Sequence, residues 1–225
     1  MQRLISLLVL CCGSLSGFGS GWAVASPRGG EGAPAALYRI AVNEALSEVA
    51  VEARFTGDIG ELEAEDGLLK NFRSLSGCAG ESVRIQDERI ATEGVSGCLR
   101  YTYPLEADTG SRSPAVEAGV RVTRPGAWLW TPDLRTKGPI HIELKLPEGA
   151  EASVPWRPLA DGRFALDPSP GSASGKVVFG AFDQFEVPVR DATIRVAALH
   201  SPERRLNVEK MASWLSVALE DVAAV

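Results

Sequence analysis

Residues 140–146 read Ile-His-Ile-Glu-Leu-Lys-Leu, with an apolar side chain at every second position. Period two is the pitch of a β-strand with one face buried, and no helix can put those four residues on one side. The alternation returns in 49–55, where Val49, Val51, Ala53 and Phe55 interleave with Ala50, Glu52 and Arg54. Strand-like runs also occupy 38–42, 82–86, 98–105, 119–123, 127–131, 162–167, 177–180, 185–187 and 192–199. Turn residues separate them at short intervals, drawn from 23 Gly and 14 Pro. Many short strands with frequent turns predict a mainly β chain, an antiparallel β-sandwich or open barrel. One stretch breaks the pattern: Leu68, Leu69, Phe72 and Leu75 carry helical spacing across 67–76.

The two ends read differently. Arg3 followed by the apolar run 4–12 and by Ala23-Val24-Ala25 has the form of a secretory leader cleaved after Ala25. That predicts export to the periplasm or the exterior. The residues before Cys11 and Cys12 are not the small ones lipidation wants, so no lipid anchor is expected. Residues 26–36 form a Ser/Pro/Gly/Ala leader, and 37–200 form the β domain. At the other end Ser201-Pro202-Glu203 has the chemistry of a helix start. Val208, Met211, Leu215, Leu219 and Val222 then keep one apolar stripe, predicting an amphipathic helix over 201–225. Such a stripe needs a surface to cover it, which makes this a candidate domain-docking helix.

With the leader removed, Cys78 and Cys98 are the remaining cysteines, each preceded by Ser-Gly. Two cysteines in an exported chain predict a disulfide. The alternative is a metal or redox site, which needs further ligands or closer spacing.

The chemistry-bearing residues are few. A net charge of -6 with no basic block points away from nucleic acid, and no late apolar run reaches membrane length. There are two histidines, His141 and His200. His141 and Glu143 share a strand face and read as a solvated polar surface. Gly171 to Lys176 lacks the first Gly and the Ser/Thr of a phosphate loop, and has Ala173 where a nucleophile elbow has serine. Glu61, Glu63 and Glu65 alternate with Leu62 and Ala64 as a solvated strand face, and the calcium-loop spacing fails there. Trp128 and Trp130 on one strand, with Tyr101 and Tyr103 on another, form a candidate aromatic platform for a ligand. The competing reading places them in the core. No catalytic residue, metal ligand or cofactor site is assigned in this chain.

The motifs Tyr38-Arg39-Ile40-Ala41-Val42, 49–57, Cys98-Leu99-Arg100-Tyr101, Trp128-Leu129-Trp130-Thr131-Pro132, Leu146-Pro147-Glu148-Gly149 and Phe179-Gly180-Ala181-Phe182 come in order before a helix with Trp214-Leu215. This order resembles the N-terminal β domain of the glycyl aminopeptidase family of zinc metallopeptidases, over roughly 38–225. The resemblance implies a thermolysin-like catalytic domain as partner, with zinc held by an H-E-x-x-H helix. This sequence has no H-E-x-x-H, so no family catalytic residue transfers to it. The expectation is a non-catalytic β domain that packs on a catalytic unit and helps shape its substrate cleft. Residues 201–225 would then open that unit. The alternative is a stand-alone exported binding module of the cell envelope.

Overall fold

The computed structural model describes residues 34–57, 60–63, 71–87, 89–105, 119–132, 139–166, 175–189, 192–198 and 207–223. Its elements run β1 (Ala36–Val42), β2 (Glu48–Phe55), β3 (Glu61–Leu62), β4 (Ser74–Gly77), β5 (Arg84–Gln86), β6 (Arg89–Ala91), β7 (Cys98–Pro104), β8 (Arg121–Thr123), α1 (Pro125–Trp128), β9 (Ile140–Lys145), β10 (Glu151–Ser153), β11 (Arg157–Pro158), β12 (Phe164–Leu166), β13 (Val177–Gly180), β14 (Asp183–Val189), β15 (Ala192–Ala198) and α2 (Val208–Ala223). The fold is mainly β, built from several sheets that do not close into one barrel, with a C-terminal helix.

The largest sheet has seven strands in the order β11-β12-β9-β1-β2-β7-β4. Its pairings are antiparallel except at its centre, where β1 runs parallel to β9 in the register Ala36↔Ile140 to Ala41↔Lys145. Period two fixes which side chains face inward, and here Tyr38, Ile40, Val49, Val51, Tyr101, Ile140 and Ile142 line the core. A second sheet, β10-β13-β8, brings Val177 and Phe179 to the same core. A third, β3-β6-β5, adds Leu62 and Ile90.

The β14–β15 hairpin is used on both faces. Ala197 packs with Val120, Val122, Val178 and Phe182. Ile194, Val196 and Ala198 point the other way and meet Met211 and Leu215 of α2. The helix thus stands on the hairpin, and the hairpin stands on the second sheet.

Two local expectations are corrected. Residues 127–131 are not a strand: Pro125 presets a helical turn, closed by Leu129 N–H to the Pro125 carbonyl at 2.7 Å. Trp128, Leu129 and Trp130 are all buried, which a strand with one wet face would not allow. Of the helical stretch 67–76, residues 67–70 lie outside the described residues, and Ser74–Gly77 is a strand paired to β7. The terminal helix begins at Val208, with Asn207 Oδ1 accepting from Lys210 N–H at 2.9 Å as its cap. The predicted start at Ser201-Pro202-Glu203 and the polar loop 171–174 lie outside the described residues, as do the leader 1–25 and His200.

Candidate functional site

The four aromatics of the candidate platform are interior residues. Trp128 and Trp130 are 0% exposed, Tyr101 2% and Tyr103 5%. They form no ligand-stacking surface, because each is held from inside by polar as well as apolar contacts. Tyr101 Oη donates to the Trp128 carbonyl at 3.1 Å and accepts from Trp130 N–H at 3.3 Å. Tyr38 Oη donates to the Trp130 carbonyl at 2.7 Å. These two phenols satisfy backbone groups of Trp128 and Trp130, while the next residue, Thr131, exchanges both backbone bonds with Glu63. Burial pushes both hydroxyls above the usual phenol range. Phe72 packs edge-on against Tyr101 and Tyr103 and tilted against Trp130.

Cys78 and Cys98 are joined, with Cα atoms 5.4 Å apart. The repeated Ser-Gly-Cys context has two separate causes. A Cβ on Gly77 would meet Glu81 Oε2 at 2.1 Å and Val95 Cγ1 at 2.6 Å. Gly97 instead adopts φ +70°, a left-handed conformation that glycine takes without strain. Glu81 fills the space beside Gly77 and accepts from Ala79 N–H at 2.9 Å and from Ser96 N–H at 3.2 Å. The Ser96 hydroxyl bonds the same carboxylate. That hydroxyl, chiefly, draws the Glu81 carboxyl down to about 2.

The outer face of the seven-stranded sheet carries a row of charges across four strands. Arg39 reaches Glu143 at 3.3 Å and Glu52 at 3.5 Å. Arg100 grips Glu52 at 2.7 and 2.9 Å, and Arg54 does so at 2.8 Å. The Arg100 and Arg54 bonds hold the Glu52 carboxyl below the usual carboxylate range. Glu52 also lies with the Cys78 and Cys98 sulfurs inside a 4.8 Å grouping. Bridged sulfurs are not thiolates and three guanidiniums cover the carboxylate, so this grouping has the wrong charge for a cation. Beside the row lies a shallow basin of about 560 Å³ floored by Ala41 and Ala50 and edged by Ser74, Thr102 and Lys145. A second concavity, about 570 Å³, opens between β3-β6-β5 and the Gly94–Gly97 turn.

His141 and Glu143 do share the outer face, but differently from the expectation. Glu143 is exposed, whereas His141 is 6% exposed and its Nδ1 has no hydrogen-bond partner among the described residues. The solvated reading therefore holds for Glu143 and fails for His141. Glu61 and Glu63 are exposed and meet Arg89 at 3.2 and 3.3 Å. Glu65 lies outside the described residues.

The fold has a counterpart among aminopeptidases. A crystal structure of an aminopeptidase N family protein from Idiomarina loihiensis superposes with a TM-score of 0.59 at 12% identity, covering 82% of this chain and 35% of that one. A substrate-bound mutant of an M1 zinc metallopeptidase from Deinococcus radiodurans covers 81% of this chain and 51% of that one at 12% identity, but its TM-score of 0.36 carries no argument. No protein-family model and no curated protein matches the sequence. The chain thus spans about a third of the first neighbour's length.

The docking-helix residues divide. Met211 and Leu215 are buried against the hairpin, Leu219 packs at the edge of that cluster, and Val208 is half-buried. The side chain of Val222 lies outside the described residues. Of the predicted stripe, Met211 and Leu215 are covered by β14 and β15. Sequence reasoning missed the other side of the helix: Trp214 is 60% exposed and Val217 62%. The signal was present, since Trp214 directly precedes Leu215 and so falls beside the stripe, about 100° round the helix from it.

Proposed function

We propose that this chain is the non-catalytic β domain of a glycyl-aminopeptidase-like zinc metallopeptidase, exported and packed on a catalytic unit whose substrate cleft it helps to shape. One observation carries the reading: the described β architecture superposes on about a third of an aminopeptidase N family protein, with most of this chain included. The residues support it. The sequence has no H-E-x-x-H, so zinc and its catalytic groups belong to the partner unit and this chain holds no cofactor. The Cys78–Cys98 bridge suits the oxidising compartment to which residues 1–25 would direct the chain.

The test is made on the native protein, captured from its source cells with an antibody to the β domain. The expected species is much heavier than 23.9 kDa, contains zinc, and removes N-terminal residues from peptides until a chelator is added. The 225-residue chain alone is expected to be inactive. A captured species no heavier than this chain, without peptidase activity, refutes the proposal. It favours the stand-alone envelope module, whose ligand would then meet the shallow basin over Ala41 and Ala50, not an aromatic platform.

A further inference from the structure

We infer that the basin on the outer face of the large sheet is a binding site for the free carboxyl end of a short peptide. This goes beyond the reading above and does not depend on it. One register row runs Lys145, Ala41, Ala50, Thr102, Ser74 across β9, β1, β2, β7 and β4. The next row runs Glu143, Arg39, Glu52, Arg100, Ser76. Both rows leave from the same side of the sheet, because period two sends the residues between them, Ile142, Ile40, Val51 and Tyr101, to the core. The two alanines leave the sheet bare beyond Cβ at mid-row, and the long side chains of Arg39, Glu52 and Arg100 stand beside them as a wall. The step between short and long side chains opens the concavity of about 560 Å³.

Charge selects one end of the ligand. Arg39, Arg54, Arg100 and Lys145 face Glu52 and Glu143, a local excess of positive charge on a chain of net charge -6. The three guanidiniums are engaged by Glu52, and Glu143 turns to Arg39 at 3.3 Å. Lys145, two residues further along the same face, has no ionic partner among the described residues. One free ammonium matches one carboxylate. A phosphate carries more charge and is best held by guanidinium forks, which are occupied here. The other end meets hydroxyls: Ser74 Oγ and Thr102 Oγ1 lie 3.0 Å apart and can both donate and accept, as a peptide group requires. The floor offers methyl groups and no ring for a sugar to stack on, since Tyr38, Tyr101 and Tyr103 of this sheet face the core. Three strand spacings of about 4.8 Å separate Lys145 from Thr102. The flexible lysine stem covers part of that span, which leaves room for about two extended residues at roughly 3.4 Å each.

The test titrates acetyl-trialanine, as the free acid, into the purified 225-residue chain and follows backbone amide shifts by NMR. The carboxamide of the same peptide, inorganic phosphate and glucuronate are titrated in parallel. The acid is expected to give saturable shifts at Ala41, Ala50 and Thr102. The carboxamide should bind about two- to fivefold more weakly, the range set by a solvent-exposed ion pair. Lys145→Gln should remove that preference for the acid, and Ala50→Leu should abolish binding by filling the floor. Lys145→Gln decides alone if the larger side chain disturbs the sheet. Equal binding of acid and carboxamide overturns the carboxylate contact. Phosphate or glucuronate binding more tightly than the peptide acid overturns the peptide assignment. Absence of saturable shifts, or shifts confined to another face, overturns the site. Each of these failures leaves the functional reading standing, because that reading is tested by the mass and activity of the native protein.

Discussion

Replacing Cys78 and Cys98 together by alanine tests how the edge of the large sheet is held. The bridge closes a loop of 20 residues that carries β5, β6 and Glu81. In the folded state the ends of that loop are tied without it. Cys78 N–H donates to the Cys98 carbonyl at 3.1 Å, Gly77 pairs with Leu99, and Glu81 links Ala79 to Ser96. The variant should therefore keep the β4–β7 pairing and lose stability through its unfolded state. Loop-closure entropy for this length gives about 3 kcal/mol. For a chain of this size that lowers Tm by roughly 6–12 °C. Urea unfolding should show a steeper m value as well, because the uncrosslinked unfolded chain exposes more surface. Reductant on the unmodified chain isolates the entropic part, since it leaves both sulfurs in place, whereas the alanine variant adds the void left by buried Cys98. Loss of less than about 1 kcal/mol with an unchanged m value would refute the reasoning. So would selective loss of amide protection along Ser74–Gly77 in the folded variant, which would make the bridge a native-state clamp.

Tyr101→Phe should cost about 1–3 kcal/mol, because it strands the buried Trp128 carbonyl and weakens the support of Trp130 N–H; chemical denaturation checks it, and a neutral result would mean water replaces the hydroxyl. Glu81 is drawn down to about 2 from 4.5, so the stability it contributes is present above its unfolded value and fades as pH falls from about 4.5 through about 2; Ser96→Ala should flatten that limb of the pH–Tm curve, and an identical curve would show another group controls it. Leu215→Ala should cost about 2–5 kcal/mol and release the β14–β15 hairpin from α2, seen as faster hydrogen exchange over 208–219. Exchange unchanged there would mean the helix is held by contacts other than those with Val187, Ile194 and Val196.

The strands with one wet face were legible, and the reason is physical. At Val49, Val51 and Ala53 the alternation is a direct image of burial, so β2 can be read from the letters alone. The order of strands cannot, because period two is the same whether a partner runs parallel or antiparallel. Nothing in Ala36–Val42 distinguishes its parallel neighbour from its antiparallel one. The segment around Trp128 misled because bulky residues at alternate positions imitate a strand, while Pro125 and the intervening buried Leu129 decide for a turn of helix. His141 followed its polar neighbours in pattern and departed from them in burial, which depends on distant chain. The candidate site was less legible than the fold. Apolar periodicity in 208–219 announced a buried face without saying what buries it.

The parallel pair at the middle of the large sheet also sets an order of assembly. β2 finds β1 across a short turn, and β7 can join them as soon as residue 104 has been made. The other edge of β1 has to wait, since the contact between Arg39 and Glu143 spans 104 residues. A ribosome delivers the chain from its N-terminus, so for the time needed to make the intervening hundred residues β1 presents a line of open peptide groups and an uncovered apolar face around Tyr38 and Ile40. Synthesis of Ile140–Lys145 is the event that closes it. Non-local closure of this kind slows folding, and it places the interval of greatest aggregation risk before β9 appears, when the nascent chain most needs a chaperone's protection.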